Sequence, residues 1–508
     1  MKPSAFLRRA WLLLPVLLLL ASCSKLDLTD LFDPKNPPAS SLKIDFYTVA
    51  GGRTLEKYNT GDLEKPLRSV MLSGLQNGET LLAIDFRPAT GQLYGLGSTS
   101  RLYVIQEETG MVRMLGAGPF TPALSGTLAG FDFNPAIDRI RVVTGSGQNL
   151  VVHPETGAVA TTASPISGPA GTMIAAAAYT NNKAGTATTV LYDIDVTADK
   201  LYRQDPPNAG TLVEVGDLKL NLSGNGGFDI APDGKALALF EVHGKSTLFT
   251  VDLTNGRTSV LKKLHKDMQF TGLAIPTQPV AYAVTESNQL LIFNPAQPAD
   301  TVAKTVTGLL NGEKLLGIDF RPANGQLYAL GSTSRIYTLN AASGQATLAG
   351  TLSIRLSGTS FGFDFNPVVD QIRIVSNRGQ NLRFIPATAA TAMDMPLNPG
   401  TPVTTAAAYT NNQAGATATM LFDIDVKTDR LYQQTPPAAG TLVDKGALGL
   451  NVEAANGFDI GGRSGDAYAL LTSGTATRLY RINLETGKAT ATGDFPSMVT
   501  GFALGLGF

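Results

Sequence analysis

The chain has 508 residues, 43% hydrophobic and 16% charged, with 40 basic and 41 acidic side chains, three histidines and one cysteine. It is too apolar and too varied to be disordered, and it has no basic excess to neutralise phosphates, which argues against a nucleic-acid partner. A single cysteine excludes disulfide scaffolds, CxxC redox pairs and thiolate zinc sites.

Lys2, Arg8 and Arg9 precede an almost unbroken apolar run from Ala10 to Leu20. That run is too short to span a bilayer but suits the h-region of a signal peptide. Leu20-Ala21-Ser22-Cys23 follows and resembles the lipobox of bacterial lipoproteins. The resemblance implies cleavage after residue 22, lipidation of Cys23 and stable anchoring by more than one acyl chain. Ser24, rather than Asp, at the next position implies outer-membrane sorting in a Gram-negative host. Residues 23–42, proline-rich, polar and without a period, read as a tether. No later segment has the length of apolar sequence that a membrane helix needs.

The body is duplicated. LLAIDFRPATGQLYGLGSTSR at 81–101 returns as LLGIDFRPANGQLYALGSTSR at 315–335; FDFNP, GQNL and YTNN also recur. The halves are assigned to 43–275 and 276–508. Within each half a short apolar strand recurs about its central residue: Asp85, Asp132, Ala178, Asp229 and Ala274, then Asp319, Asp364, Ala408, Asp459 and Ala503, at intervals of 44 to 51 residues. Each is followed by three further alternating strands separated by Gly, Asn, Asp and Pro turns, which is hairpin sequence. Four short antiparallel strands per repeat predict an all-β propeller of about ten modules.

Blade numbers of four to eight favour two five-bladed rings. The short connection PTQPV after TGLAI reaches only about 17 Å when extended, and on that ground one ten-bladed ring is the preferred expectation. Residues 47–59 align with 282–294 as second and third strands, so the C-terminal segment 499–506 is expected to close the ring onto the blade of residues 45–75.

At IDFRPA(T/N)GQLY, FDFNP, GQNL and YTNN the chain resembles the bacterial domain-of-unknown-function 4394 family, in two tandem copies. The resemblance implies a propeller-like, often secreted domain and no assigned activity.

The six repeat aspartates, Asp85, Asp132, Asp229, Asp319, Asp364 and Asp459, sit among apolar residues, where a carboxylate must be hydrogen-bonded or paired. They are read as structural, accepting backbone N–H groups or pairing with Arg87, Arg141, Arg321 or Arg373; the alternative is Ca²⁺ in a central channel, and no cofactor is otherwise implied. Tyr179, Asn181 and Asn182, with Tyr409, Asn411 and Asn412, are candidate ligand residues: amides can read sugar hydroxyls and a tyrosine can stack on a sugar face. Gln148-Asn149 and Gln380-Asn381 offer the same amide chemistry, and GSTSR at 97–101 and 331–335 reads as a turn. None of the three histidines has a counterpart in the other half, and no nucleophile elbow, HExxH or Walker motif occurs, so no catalytic residue is assigned. The expectation is a binding or scaffolding module on the cell envelope, attached to the membrane through its lipid alone, with an envelope protein or glycan as partner. The alternative is an extracellular carbohydrate-active hydrolase or lyase using channel carboxylates.

Overall fold

The computed structural model describes residues 42–264, 269–453 and 456–508. Cys23, the signal peptide, most of the tether and His265 lie outside the described residues. Among those residues the protein is all-β, apart from two short 3₁₀ turns at Pro207–Ala209 and Pro437–Ala439. Forty strands form ten four-stranded antiparallel sheets, the blades.

The innermost strand of each blade carries the predicted repeat centre. In the first half these strands are Leu81–Phe86, Ala129–Asn134, Ile174–Tyr179, Leu222–Ile230 and Phe270–Ala274. Each packs against the next, and Phe270–Ala274 packs back on Leu81–Phe86, which completes a ring of five. The second half repeats this with Leu315–Arg321, Phe361–Asn366, Thr404–Tyr409, Asn456–Ile460 and Gly501–Leu504. The structure therefore has two five-bladed rings, and the expectation of one ten-bladed ring is corrected.

The C-terminal strand does close a ring, but on a different blade from the one expected. The blade of Asp45–Ala50, Thr54–Asn59 and Arg68–Met71 takes its innermost strand from Phe270–Ala274, with Tyr47 opposite Ala274. The C-terminal strand Gly501–Leu504 instead pairs with Ala281–Val284, placing Ala503 opposite Tyr282. Each half starts on a second strand and ends on the missing first one, so each ring is fastened by pairing its own two ends and no inner sheet edge is left open.

The chain crosses between rings over residues 275–280. Six residues suffice because the rings meet at the ends where the innermost strands finish. Arg87 donates to the carbonyl of Gly325, the Tyr282 hydroxyl to the carbonyl of Ala89, and Gly507 N–H to the carbonyl of Thr90. Ala89 of ring one is buried in an apolar cluster with Val280, Tyr282, Phe320 and Leu506 of ring two and its linker.

Blade stacking supplies the cores. Alternate faces of neighbouring blades interleave aromatic and branched residues, as where Tyr94 meets Phe133 edge to face at 5.0 Å and Tyr328 meets Phe365 at 5.1 Å. The glycine one place before Phe131 shows how tight this is: a Cβ at Gly130 would stand 2.6 Å from that of Ala177 on the next innermost strand.

Candidate functional site

The repeat aspartates converge. One carboxylate oxygen from each of Asp85, Asp132 and Asp229 lies within 4.8 Å of the others, and Asp319, Asp364 and Asp459 form the same triad in ring two. Each side chain is at most 1% exposed. The two remaining positions in each ring are alanines, Ala178 and Ala274 or Ala408 and Ala503, buried in the apolar clusters between blades.

The local geometry explains the repeat. Asp85 accepts the N–H of Phe133 (2.8 Å), the residue after the centre of the next blade. Asp132 accepts from Tyr179 (3.0 Å) and Asp229 from Ile275 (2.6 Å) in the same relation. Asp319, Asp364 and Asp459 do so with Phe365, Tyr409 and Leu504. Asp85, Asp229, Asp319 and Asp459 also accept the N–H of the residue that follows them. The expected backbone bonding is therefore present. The expected pairing with arginine is not: Arg87 and Arg321 bind Asp138 and Asp370, while Arg141 and Arg373 bind Asn149 and Asn381.

Burial, reinforced by the neighbouring carboxylates, pushes Asp85, Asp132, Asp319 and Asp364 well above the usual carboxyl range. Burial lifts Asp229 and Asp459 to about 7 against the pull of their backbone N–H donors. Asp132 Oδ2 has no hydrogen-bond partner. Neither does Oδ1 of Asn182, a fully buried side chain that lies against Asp229, nor Oδ1 of its repeat counterpart Asn412. Chemically, the triads offer oxygen donors with room for protons or a hard cation.

A cleft of about 630 Å³ opens where the rings meet. Lys43, Asp45, Tyr47 and Lys57 line it from the first blade, the linker of residues 275–280 crosses it, and Arg463 and Phe508 close it from ring two. Its charges are largely paired: Lys57 with Asp45 at 2.8 Å and Arg463 with Glu107 at 2.8 Å. Burial raises Glu107 in spite of Arg463, and raises Tyr47 to about 12.

The other candidates take different places. Tyr179 and Tyr409 are 1% exposed, with their hydroxyls accepting from Arg141 and Arg373, so neither presents a face for a sugar to stack on. Asn181 and Asn411 sit at positive φ in turns and donate to the carbonyls of Thr188 and Ala418. Asn149 and Asn381 tie blades together by donating to the carbonyls of Pro207 and Pro437. The GSTSR segments are turns: Ser100 and Ser334 have φ near +65°, and Thr99 and Thr333 donate N–H and hydroxyl to Glu79 and Glu313.

Two buried groups were missed. Asp193 and Asp423 have both carboxylate oxygens unpartnered, and burial pushes each to about 8 although Arg141 or Arg373 is near enough to pull it down. The matching segments LYDID and LFDID, an acid repeated between apolar residues, carried that signal. The second is the acid pair held by Arg87, which the sequence set against the repeat aspartates: Arg87 is fully buried and bonded to Asp138 at 2.8 Å and to Glu155. Burial alone would raise Glu155, but Arg87 and then His153 hold it down at about 2. No local motif announces that contact, since Glu155 is 68 residues away.

Ring closure, blade count and central carboxylates together define a tandem five-bladed β-propeller. The chain belongs to the family described as Domain of unknown function (DUF4394), which matches residues 54–274 and 289–503, one copy in each ring. A search of the curated proteins found no match. Among solved structures it is similar to the Dos1 propeller, at 12% identity and a TM-score of 0.25, covering 66% of this chain and 90% of that one. It is also similar to the extracellular domain of BT4673 from B. thetaiotaomicron, at 12% identity and a TM-score of 0.25. That match covers 88% of this chain, which spans 58% of the other.

Proposed function

We propose that this protein is a lipid-anchored module of the bacterial cell envelope that binds its ligand, an envelope protein or glycan, in the cleft between the rings. The observation that carries this reading is that the cleft is the large concavity to which both rings and their linker contribute. Clefts at such junctions are favoured binding sites. The carbohydrate-active alternative loses support on geometry, because the six axial acids are at most 1% exposed and a glycosidic bond cannot be brought between them. Among the described residues no helix is long and apolar enough to cross a membrane; attachment in this reading rests on Cys23.

Two experiments test it. A photoreactive residue at Pro276, in the cleft, should cross-link the full chain to an envelope component in intact cells, whereas one at Met393, 61% exposed on a blade of ring two, should not. Equal labelling at both, or none at Pro276, rejects the cleft. Cys23→Ala should abolish incorporation of labelled palmitate and release a folded protein from the membrane; retained label rejects the anchor.

A further inference from the structure

We infer that each ring is plugged on its axis by one hard divalent cation of the calcium class, bound by Asp85, Asp132 and Asp229 in ring one and by Asp319, Asp364 and Asp459 in ring two. The inference is independent of the cleft and of any ligand there.

The first support is the span of the donors. Oxygens within 4.8 Å of one another are close enough to share one hard cation. The second is donor chemistry. The triads hold carboxylates and no imidazole or thiolate, which suits hard cations and disfavours zinc or copper. The backbone N–H bonds do not compete, since each carboxylate oxygen keeps a second lone pair.

The third support is independent of the acids. Asn182 is completely buried against Asp229, and its Oδ1 has no partner. An amide oxygen in that state is costly unless something accepts its lone pairs. Asp132 Oδ2, in the same cluster, is also without a donor, and Asn412 repeats the orphaned Oδ1 in ring two. A cation in the ring-one triad would satisfy Asp132 Oδ2 directly, with the unpartnered Asn182 amide bordering it at Asp229. A protein cation does not do it in ring one: Arg87 is committed to Asp138 and Glu155, and Arg141 to Asn149 and Asn208. Three buried carboxylates without a counterion are strongly disfavoured.

The test is metal content. The purified full chain, loaded with CaCl₂ and desalted, is denatured and its calcium measured by plasma emission. One ion per ring is expected. Asp132→Asn and Asp364→Asn should each halve the content, and the double variant should abolish it. Removal by EDTA should lower the melting temperature, and Ca²⁺ should restore it where Mg²⁺ does not. Calcium at background level in the loaded wild type, with the melting temperature unmoved by EDTA, overturns the proposal whether or not the variants fold. A single variant that folds, melts higher than the parent and leaves the calcium content unchanged overturns it as well, since the triads are then proton-sharing carboxyl clusters.

Discussion

Replacing Phe502 by alanine should loosen ring two and leave ring one intact. Phe502 lies in the closing strand Gly501–Leu504, is 3% exposed, and packs among Leu291, Phe293, Leu470, Leu479 and Leu504. Its ring centroid is 6.2 Å from that of Phe293. A buried Phe→Ala change costs about 3–5 kcal/mol, the transfer term plus the cavity. For a ring of this size that lowers the melting temperature by roughly 6–20 °C. Backbone amides of Ala281–Val284 and Gln289–Phe293 should then exchange about two to four decades faster, at 1.36 kcal/mol per decade. The strand Asp45–Ala50, fastened by Phe270–Ala274, should keep its protection, because the contacts between rings run through turns rather than shared sheets. Hydrogen exchange with peptide-resolved mass spectrometry reads both regions in one sample. Leu273→Ala, 2% exposed in the closing strand of ring one, should give the mirror result. Loss of protection over Asp45–Met71 in step with ring two would refute independent closure.

Asp193 is protonated in the folded chain up to about pH 8 but ionised above about pH 4 when unfolded. The folded state therefore binds more protons in that window, and stability present below about pH 4 is lost as pH rises to about 8, by at most about 1.4 kcal/mol per unit. Asp193→Asn removes this slope, so melting curves of variant and parent should diverge progressively from pH 4.5 to 8; a constant gap would contradict it. Arg87→Met leaves Asp138 and Glu155 buried without their cation and should cost about 3–5 kcal/mol in urea unfolding at pH 7, with a smaller loss at pH 4, where carboxyls can neutralise; an equal loss at both would show that lost packing dominates. Gly97→Ala drives a methyl against the Glu79 carboxylate and the Tyr103 ring and should cost about 1–3 kcal/mol by denaturant melt, whereas Gly118→Ala, with nothing within 4 Å, should be neutral.

The blades were legible because the repeat has a physical cause. An innermost strand must be apolar on both sides, yet its central acid accepts the N–H next to the following centre, so the 47 residues from Asp85 to Asp132 record one blade and the step on to Asp229 records two. The alignment of residues 47–59 with 282–294 also held information that the closure expectation left unused. If both halves begin on a second strand, each needs its own first strand, and Phe270–Ala274 and Gly501–Leu504 are the two available. The reach of the linker misled because it was measured for rings lying apart. With the strand ends of ring one set against ring two, Val280 is already at the next ring, where its carbonyl accepts from Gly505.

The site divides along the same line between local and distant information. A repeated Asp between apolar residues marks a buried acid, and that much follows from the cost of desolvating a carboxylate. That three such acids meet requires the ring to close at five, which sets Asp229 back beside Asp85 and Asp132. In a ring of ten the same six acids would be spread around a wide channel, each with room for water. Closing at five brings one oxygen of each carboxylate within 4.8 Å of the others. Blade number thus decides the chemistry, because only closure at five sets three acids of one ring against one another. Tyr179 and Asn182 change meaning for the same reason. Their segment reads as an exposed strand end in isolation, but closure folds it inward, burying the tyrosine on Arg141 and setting the amide against Asp229.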